Sequence, residues 1–317
     1  MVGKTIDAIS SRSRKVDGTP TSLTDLGYQR VGVDDGWQAC KKGKDCTFHS
    51  DDGTPVVNTT KFPDLSALVK YGEAKQVLVG WYQINCICCD EFSDTDNATW
   101  KKSVYTADAK QLTDAGFYGV KLDDCGDGTG EGLIGRVKAI NASGRAMLIE
   151  NSNQGVGGPA PAKPHNGRDN PKDAEAPCPF NLFRTGGDII PDFGTVIAKL
   201  QRTIPYLGNK SFAPISRPGC WAYPDSESRR FLSLPPSPTP SLPFPSLGLE
   251  PDDTHNQPLP HTVLEVGNFP SEDPAKAFLE SRTHFGAWCV VSSPLVLGLD
   301  ITNDTTLDSV WDIISNK

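Results

Sequence analysis

Short apolar runs alternate along this chain with stretches whose apolar side chains recur at helical spacing. Gly27-Tyr28-Gln29-Arg30-Val31-Gly32-Val33-Asp34-Asp35 has the same shape as Gly116-Phe117-Tyr118-Gly119-Val120-Lys121-Leu122-Asp123-Asp124. Each is a glycine, a short β-rich run and two adjacent aspartates. Ahead of the second copy, Val104, Ala107, Leu112 and Ala115 repeat with a helical period, and Gly116 stands where a helix C-cap glycine belongs. Helix, glycine, buried strand and carboxylate together predict an αβ unit of a parallel sheet, with its functional groups at the strand's C-terminal end.

The same rhythm predicts further strands at Gln76 to Tyr82, Ala146 to Glu150, Leu182 to Arg184, Phe212 to Ser216 and Cys289 to Ser293. The strand at Gln76 follows a helical Leu65/Leu68/Val69 face that starts after Pro63-Asp64. Seven strands result, centred on Val31, Val79, Val120, Leu148, Phe183, Ala213 and Val291. Strands alternating with helices point to a barrel or an open α/β sheet. An eight-stranded barrel needs one more, and nothing before Gly27 supplies it. Two segments break the pattern. Residues 154–177 read as a long loop on the active face, and residues 226–260 carry Pro235, Pro236, Pro238, Pro240, Pro243 and Pro245. Such proline spacing denies the second segment both helix and central strand.

With 317 residues, 37% of them hydrophobic and 22% charged, the composition is that of an ordinary globular protein. A net charge of −8 without a basic stripe argues against a nucleic-acid partner. Lys4, Arg12, Arg14 and Lys15 read as a solvated face. No window reaches the roughly 20 apolar residues of a membrane span, and the first thirty residues lack the apolar core of a signal peptide. Yet five glycosylation sequons begin at Asn58, Asn97, Asn141, Asn209 and Asn303, beside nine cysteines. Together they favour a secretory-pathway protein, extracellular or lysosome- or vacuole-like, whose true N-terminus lies upstream. Nine being odd, at least one thiol is free or pairs outside this chain.

Carboxylates gather at the predicted strand ends: Asp34, Asp35, Asp123, Asp124, Glu150 and Asp188. Hydrolysis of a glycosidic bond needs two of them, one to attack and one to protonate the leaving oxygen. A strand-end Asp also serves as an ordinary helix cap, but a cap needs only one acid, and here the Asp-Asp pair recurs. Mg²⁺ or Ca²⁺ is the rival use of these oxygens. The five histidines show no zinc-ligand spacing, and Cys86-Ile87-Cys88-Cys89 lacks a second CxxC. Neither a metal nor another cofactor is expected.

At this point the motifs resemble a known family. Lys121-Leu122-Asp123-Asp124-Cys125 resembles the lysine–x–Asp–x–Cys signature of glycoside hydrolase family 27, the α-galactosidases and α-N-acetylgalactosaminidases. Val33 to Trp37 is similar to its Asp-Asp-x-Trp motif, and Phe183 to Ile189 to its Arg-x-x-x-Asp-Ile segment. Arg217 to Asp225, Leu264 to Asn268 and Ser293 to Leu295 follow in the family's order.

The resemblance implies a TIM (β/α)8-type barrel and a retaining exo-glycosidase acting on terminal α-D-galactosyl residues of oligosaccharides or glycoconjugates. Alternatives within it are an α-N-acetylgalactosaminidase, a β-L-arabinopyranosidase or a non-catalytic sugar-binding fragment. It implies Asp123 as the nucleophile and Asp188 as the acid/base. Lys121, Arg184, Asp34, Asp35, Tyr82, Glu150 and Asp225 become substrate-binding positions, with Trp37 either an apolar wall for the sugar or core packing. Asn151 competes with Glu150 at the strand end that sets galactose against N-acetylgalactosamine. Cys125 is expected to bridge to Cys86 or Cys88, while Cys40 and Cys46 are near enough in sequence to close a small loop. A homodimer is compatible with the intact protein.

The chain also departs from the family pattern. The barrel's first strand is expected before residue 1, and the C-terminal β-sandwich beyond the last. Residues 1–317 thus read as one catalytic barrel domain truncated at both ends. The proline-rich 226–260 interrupts a run that otherwise joins Asp225 to Leu264, as a translated intron would.

Overall fold

The structure is a computed structural model, and it describes residues 2–40, 47–84, 87–88, 98–123, 131–152, 178–186, 189–208, 214–224 and 264–316. Its centre is a parallel sheet of six strands. These are β3 (Arg30–Gly32), β4 (Leu78–Gln83), β5 (Gly119–Leu122), β6 (Leu148–Asn151), β7 (Leu182–Arg184) and β8 (Trp221–Tyr223). Each strand pairs with the next in sequence, all in parallel register. The sheet is a partial barrel. A separate antiparallel hairpin, β1 (Arg14–Val16) and β2 (Thr19–Thr21), precedes it.

Helices α1 (Val2–Ser10), α2 (Leu65–Ala74), α3 (Ala98–Ala115), α4 (Glu131–Ala142) and α5 (Phe193–Thr203) fall between or before the strands. α6 (Pro274–Val290) and α7 (Asp304–Ile314) follow them. The starts are written in the sequence: the Asp64 side chain accepts from the Ala67 amide at 2.9 Å, and Asp192, Asp273 and Asn303 cap α5, α6 and α7. Gly116, at φ 85°, ends α3 as the spacing predicts, and the Phe117 amide turns back to the Leu112 carbonyl. β4 buries every residue after Leu78, as expected of a strand covered on both faces.

Five predicted strands stand, around Val31, Val79, Val120, Leu148 and Phe183. Two do not. Cys289 to Ser293 is the end of α6 and the turn after it. Ser281, His284, Phe285 and Trp288 bury a helical stripe, which leaves the β-branched Val290 83% exposed. Of the predicted Phe212–Ser216 strand, residues 212–213 lie outside the described residues and Ile215-Ser216 form a bend. The strand in this part of the chain is β8, three residues set off by the Pro218-Gly219 turn. The segments 154–177 and 226–260 lie outside the described residues.

Beyond β8, among the described residues, the strand pattern survives as a single parallel bridge, Leu264 to Leu297. Among the described residues no strand pairs with the far edge of β3. A cavity of about 770 Å³ opens there, lined by Val31 and Gly32 on one side and by Leu295 to Gly298 on the other. Side chains bridge the two ends of the chain. Arg14 holds Asp308 at 2.6 Å and Asp304 at 2.9 Å, the Trp311 indole donates to the Lys15 carbonyl, and the Tyr28 hydroxyl donates to the Ile314 carbonyl.

Two disulfides are formed among the described residues. Cys178–Cys220 joins the segments entering β7 and β8. Cys40–Cys88 joins the loops leaving β3 and β4, which corrects both expectations for Cys40 and Cys88. Cys40 does not close a small loop with Cys46, and Cys88 is not the partner of Cys125. Parallel neighbours bring their C-terminal loops together in space, which lets Cys40 reach a partner 48 residues away in sequence. Cys46, Cys86 and Cys125 lie outside the described residues, and Cys289 is a free, exposed thiol.

Candidate active site

Register places the candidate residues. Tyr82, Lys121 and Glu150 lie opposite one another across β4, β5 and β6, so their side chains share one face of the sheet. Asp123 follows Lys121 by two residues, on that same face and one layer further along. Arg184 lies in that layer, two residues beyond Leu182, which is in register with Glu150. Tyr223 is in register with Arg184. Inside the curl, a lower ring of Asp34, Tyr82, Lys121 and Glu150 therefore supports an upper ring of Asp123, Arg184 and Tyr223.

The bonds follow these rings. The Tyr82 hydroxyl donates to Asp123 Oδ2 at 2.8 Å, and Arg184 Nη2 lies 3.8 Å from Oδ1 of the same carboxylate. Lys121 Nζ donates to Asp34 Oδ2 at 2.9 Å and sits 5.4 Å from the centre of the Tyr82 ring. The Tyr223 hydroxyl donates to Glu150 Oε1. Asp34 and Asp35 also shape the loop that carries them: Asp34 Oδ1 accepts from the Asp35 amide, and Asp35 Oδ1 accepts from the amide of Gly36, whose φ is 84°.

Burial acts on Lys121, Glu150 and Tyr82. It disfavours the Lys121 ammonium, but Asp34, Glu150 and Asp123 around it outweigh that cost and hold its pKa above the ordinary value. Burial likewise pushes the Glu150 carboxyl above its ordinary range, against the opposing pull of Lys121 and the Tyr223 hydroxyl. Tyr82 is kept a phenol by burial and by the charges of Asp123, Asp34 and Asp35. A phenol that keeps its proton is a fixed donor for Asp123.

Trp37 belongs to the core. It is fully buried against Trp81 and Phe48, and its indole donates to the Tyr82 carbonyl at 2.8 Å. One step back in β4, the Gly80 carbonyl accepts from the Val33 amide. Where β3 turns away at Asp34, the indole N–H continues that ladder. Asn151 is also fully buried, within β6.

Asp188, Asp225 and Asp124 lie outside the described residues. Among the described residues, no group of three or more His, Cys, Asp or Glu side chains could hold a metal ion. Tyr223 is the site residue that the sequence reading missed. Its register with Arg184 was the available signal, and it is visible only once β8 is placed.

No family model matches the chain. Curated relatives do. An α-galactosidase of Oryza sativa subsp. japonica is 24% identical over 94% of this chain and 54% of its own length. A probable α-galactosidase D of Aspergillus oryzae is 25% identical over 90% of this chain and 35% of its own length. The chain is similar to α-galactosidases along most of its length. Solved α-galactosidases share its fold along the same span. α-Galactosidase I of Mortierella vinacea superposes with a TM-score of 0.58 at 20% identity, covering 99% of this chain and 66% of that one. An α-galactosidase of Saccharomyces cerevisiae solved with raffinose gives 0.57 at 17% identity, covering 94% and 55%. The chain thus spans about half the length of the rice relative and about a third of the fungal one.

Proposed function

We propose that this chain carries the catalytic barrel of a retaining exo-glycosidase that removes terminal α-D-galactosyl residues. The observation that carries the reading is the setting of Asp123. Its carboxylate, at the end of β5, accepts from the Tyr82 phenol and faces Arg184, above the Lys121–Asp34 pair. A carboxylate held by a phenol donor and faced by a guanidinium in a half-buried interior is oriented to attack one anomeric carbon.

In the proposed reaction Asp123 attacks C1 of the galactosyl unit. Asp188 protonates the glycosidic oxygen as the C1–O bond breaks, and the aglycone leaves as an alcohol. Asp188, now a carboxylate, takes a proton from water, which attacks C1 and releases Asp123. Two inversions give net retention. Lys121, Arg184, Asp34, Asp35 and Asp225 hold sugar hydroxyls, and Glu150 with its Tyr223 partner closes the floor. The rice and fungal α-galactosidases support galactose as the sugar. The disulfides and the sequons support folding in the secretory pathway.

The test is hydrolysis of p-nitrophenyl α-galactoside, α-N-acetylgalactosaminide and β-L-arabinopyranoside by the full chain and by its Asp123→Asn variant. The reading requires turnover of the galactoside that Asp123→Asn abolishes. Preference for either other sugar reassigns the substrate. Galactose binding without turnover makes the chain a sugar-binding fragment.

A further inference from the structure

We propose that Asn141 and Asn303 are N-glycosylation sites, each accepting an oligosaccharide on its side-chain amide. Both stand in acceptor triplets, Asn141-Ala142-Ser143 and Asn303-Asp304-Thr305, and both are exposed. Asn141 lies in the last turn of α4, and its backbone carbonyl accepts from Gly144, a glycine at φ 75° that turns the chain away. Helices of a β/α unit run back against their strands, so the end of α4 is at the opposite end of the sheet from Asp123. A glycan there leaves the candidate site open.

Asn303 caps α7 through Oδ1, which accepts from the Thr306 amide at 3.2 Å. Glycosylation uses the nitrogen and leaves that oxygen an acceptor, so cap and glycan coexist. Asn58 has a different setting and is not part of the proposal. It is half-buried, its backbone N–H donates to the Trp37 carbonyl at 2.8 Å, and its Oδ1 accepts from the Thr60 and Lys61 backbone amides, next to Gly36 of the candidate site.

The transfer needs one co-reactant, a lipid-diphosphate-linked oligosaccharide. The Nδ2–C1 bond forms as the bond between C1 and the diphosphate oxygen breaks. The lipid diphosphate leaves, and the amide gives up one proton to a base. Nothing is oxidised or reduced.

The inference rests on the secretory-pathway reading, and its test does not depend on glycosidase activity. The full chain is expressed behind a cleavable leader in yeast. Secreted and membrane-retained protein are both digested with peptide-N-glycosidase in heavy-oxygen water and mapped by mass spectrometry. Heavy-oxygen aspartate is expected at 141 and 303. Asn141→Gln and Asn303→Gln should each remove one glycan step in mass. Ser143→Ala and Thr305→Ala should do the same while keeping the asparagine, which separates loss of an acceptor from misfolding. Translocated protein unlabelled at either position overturns the assignment there. Failure to cleave any α-glycoside would overturn the catalytic reading and leave these masses unchanged.

Discussion

Replacing Trp37 by Phe tests whether the indole is part of the scaffold or part of the sugar site. The ring is fully buried, and its N–H satisfies the Tyr82 carbonyl at 2.8 Å. Phe keeps most of the apolar ring but removes the donor, leaving a buried carbonyl that costs about 1–3 kcal/mol. A void of about 40 Å³ at about 24 cal/mol per Å³ adds roughly 1 kcal/mol. The expected loss is near 3 kcal/mol, which lowers Tm by about 6–12 °C at about 2–4 °C per kcal/mol. The measurement is thermal and urea unfolding followed by near-UV circular dichroism. Trp311→Phe serves as the control, since its indole donates to Lys15 at the surface, at 3.1 Å, and its loss should cost under about 1 kcal/mol. If Trp37→Phe unfolds within about 0.5 kcal/mol of the unsubstituted chain, the indole does not continue the β4 ladder. Unchanged stability with weakened galactose binding would make the ring a sugar wall instead.

Four further outcomes are expected. Glu150→Gln keeps an acceptor for Tyr223 and removes a carboxyl whose folded pKa burial has raised, against an ordinary 4.5. The folded state of the unsubstituted chain then holds more protons than the unfolded one. Stability from this group is full below the unfolded pKa and is lost as pH rises through the folded one. The variant should therefore gain stability relative to the parent as pH rises through that window, and a pH series of Tm values reads it. Replacing both Cys178 and Cys220 by Ser releases a cross-link of sequence separation 42, a loss of about 4 kcal/mol by chain entropy, and urea midpoints with and without reductant check it. Asp188→Asn should spare aryl galactosides with good leaving groups and suppress natural oligosaccharides, because only the latter need protonation; equal loss on both would remove Asp188 from the acid role. In a crystal structure the carboxyls of Asp123 and Asp188 should stand roughly 5–5.5 Å apart, whereas about 8 Å would mean inversion.

What could be read from the sequence follows burial. Val31, Val79, Val120, Leu148 and Phe183 were legible because strands covered on both faces are continuously apolar. Val290-Val291 was misread because its β-branched composition outweighed the helical period running on from Pro274. β8 escaped because three residues after a Pro-Gly turn carry no period at all. The strand-end carboxylates were visible as a repeated Asp-Asp pair, and the pairing of Lys121 with Asp34 needed the register of three strands. The Cys40–Cys88 bridge, like the Tyr223–Glu150 bond, depends on which loops and strands become neighbours. Spacing along the chain does not encode that.

The bonds between the two ends of the chain set an order of assembly. Every ladder from β3 to β8 joins strands adjacent in sequence, so the sheet can grow one neighbour at a time. Bringing α7 to the β1–β2 hairpin closes a loop with a sequence separation of 294. At (3/2)RT ln n this costs about 5 kcal/mol of chain entropy beyond a constant. The ion pairs of Arg14 with Asp304 and Asp308 reach solvent through exposed carboxylates and return at most about 1 kcal/mol each. Closure must come instead from Leu307, Val310, Ile313 and Ile314, the buried stripe of α7. α7 and the hairpin are therefore expected to dock late and to open first. In native-state hydrogen exchange their amides should trade together at a lower free energy than those of β4 and β5, as a cooperative opening that leaves the central strands intact.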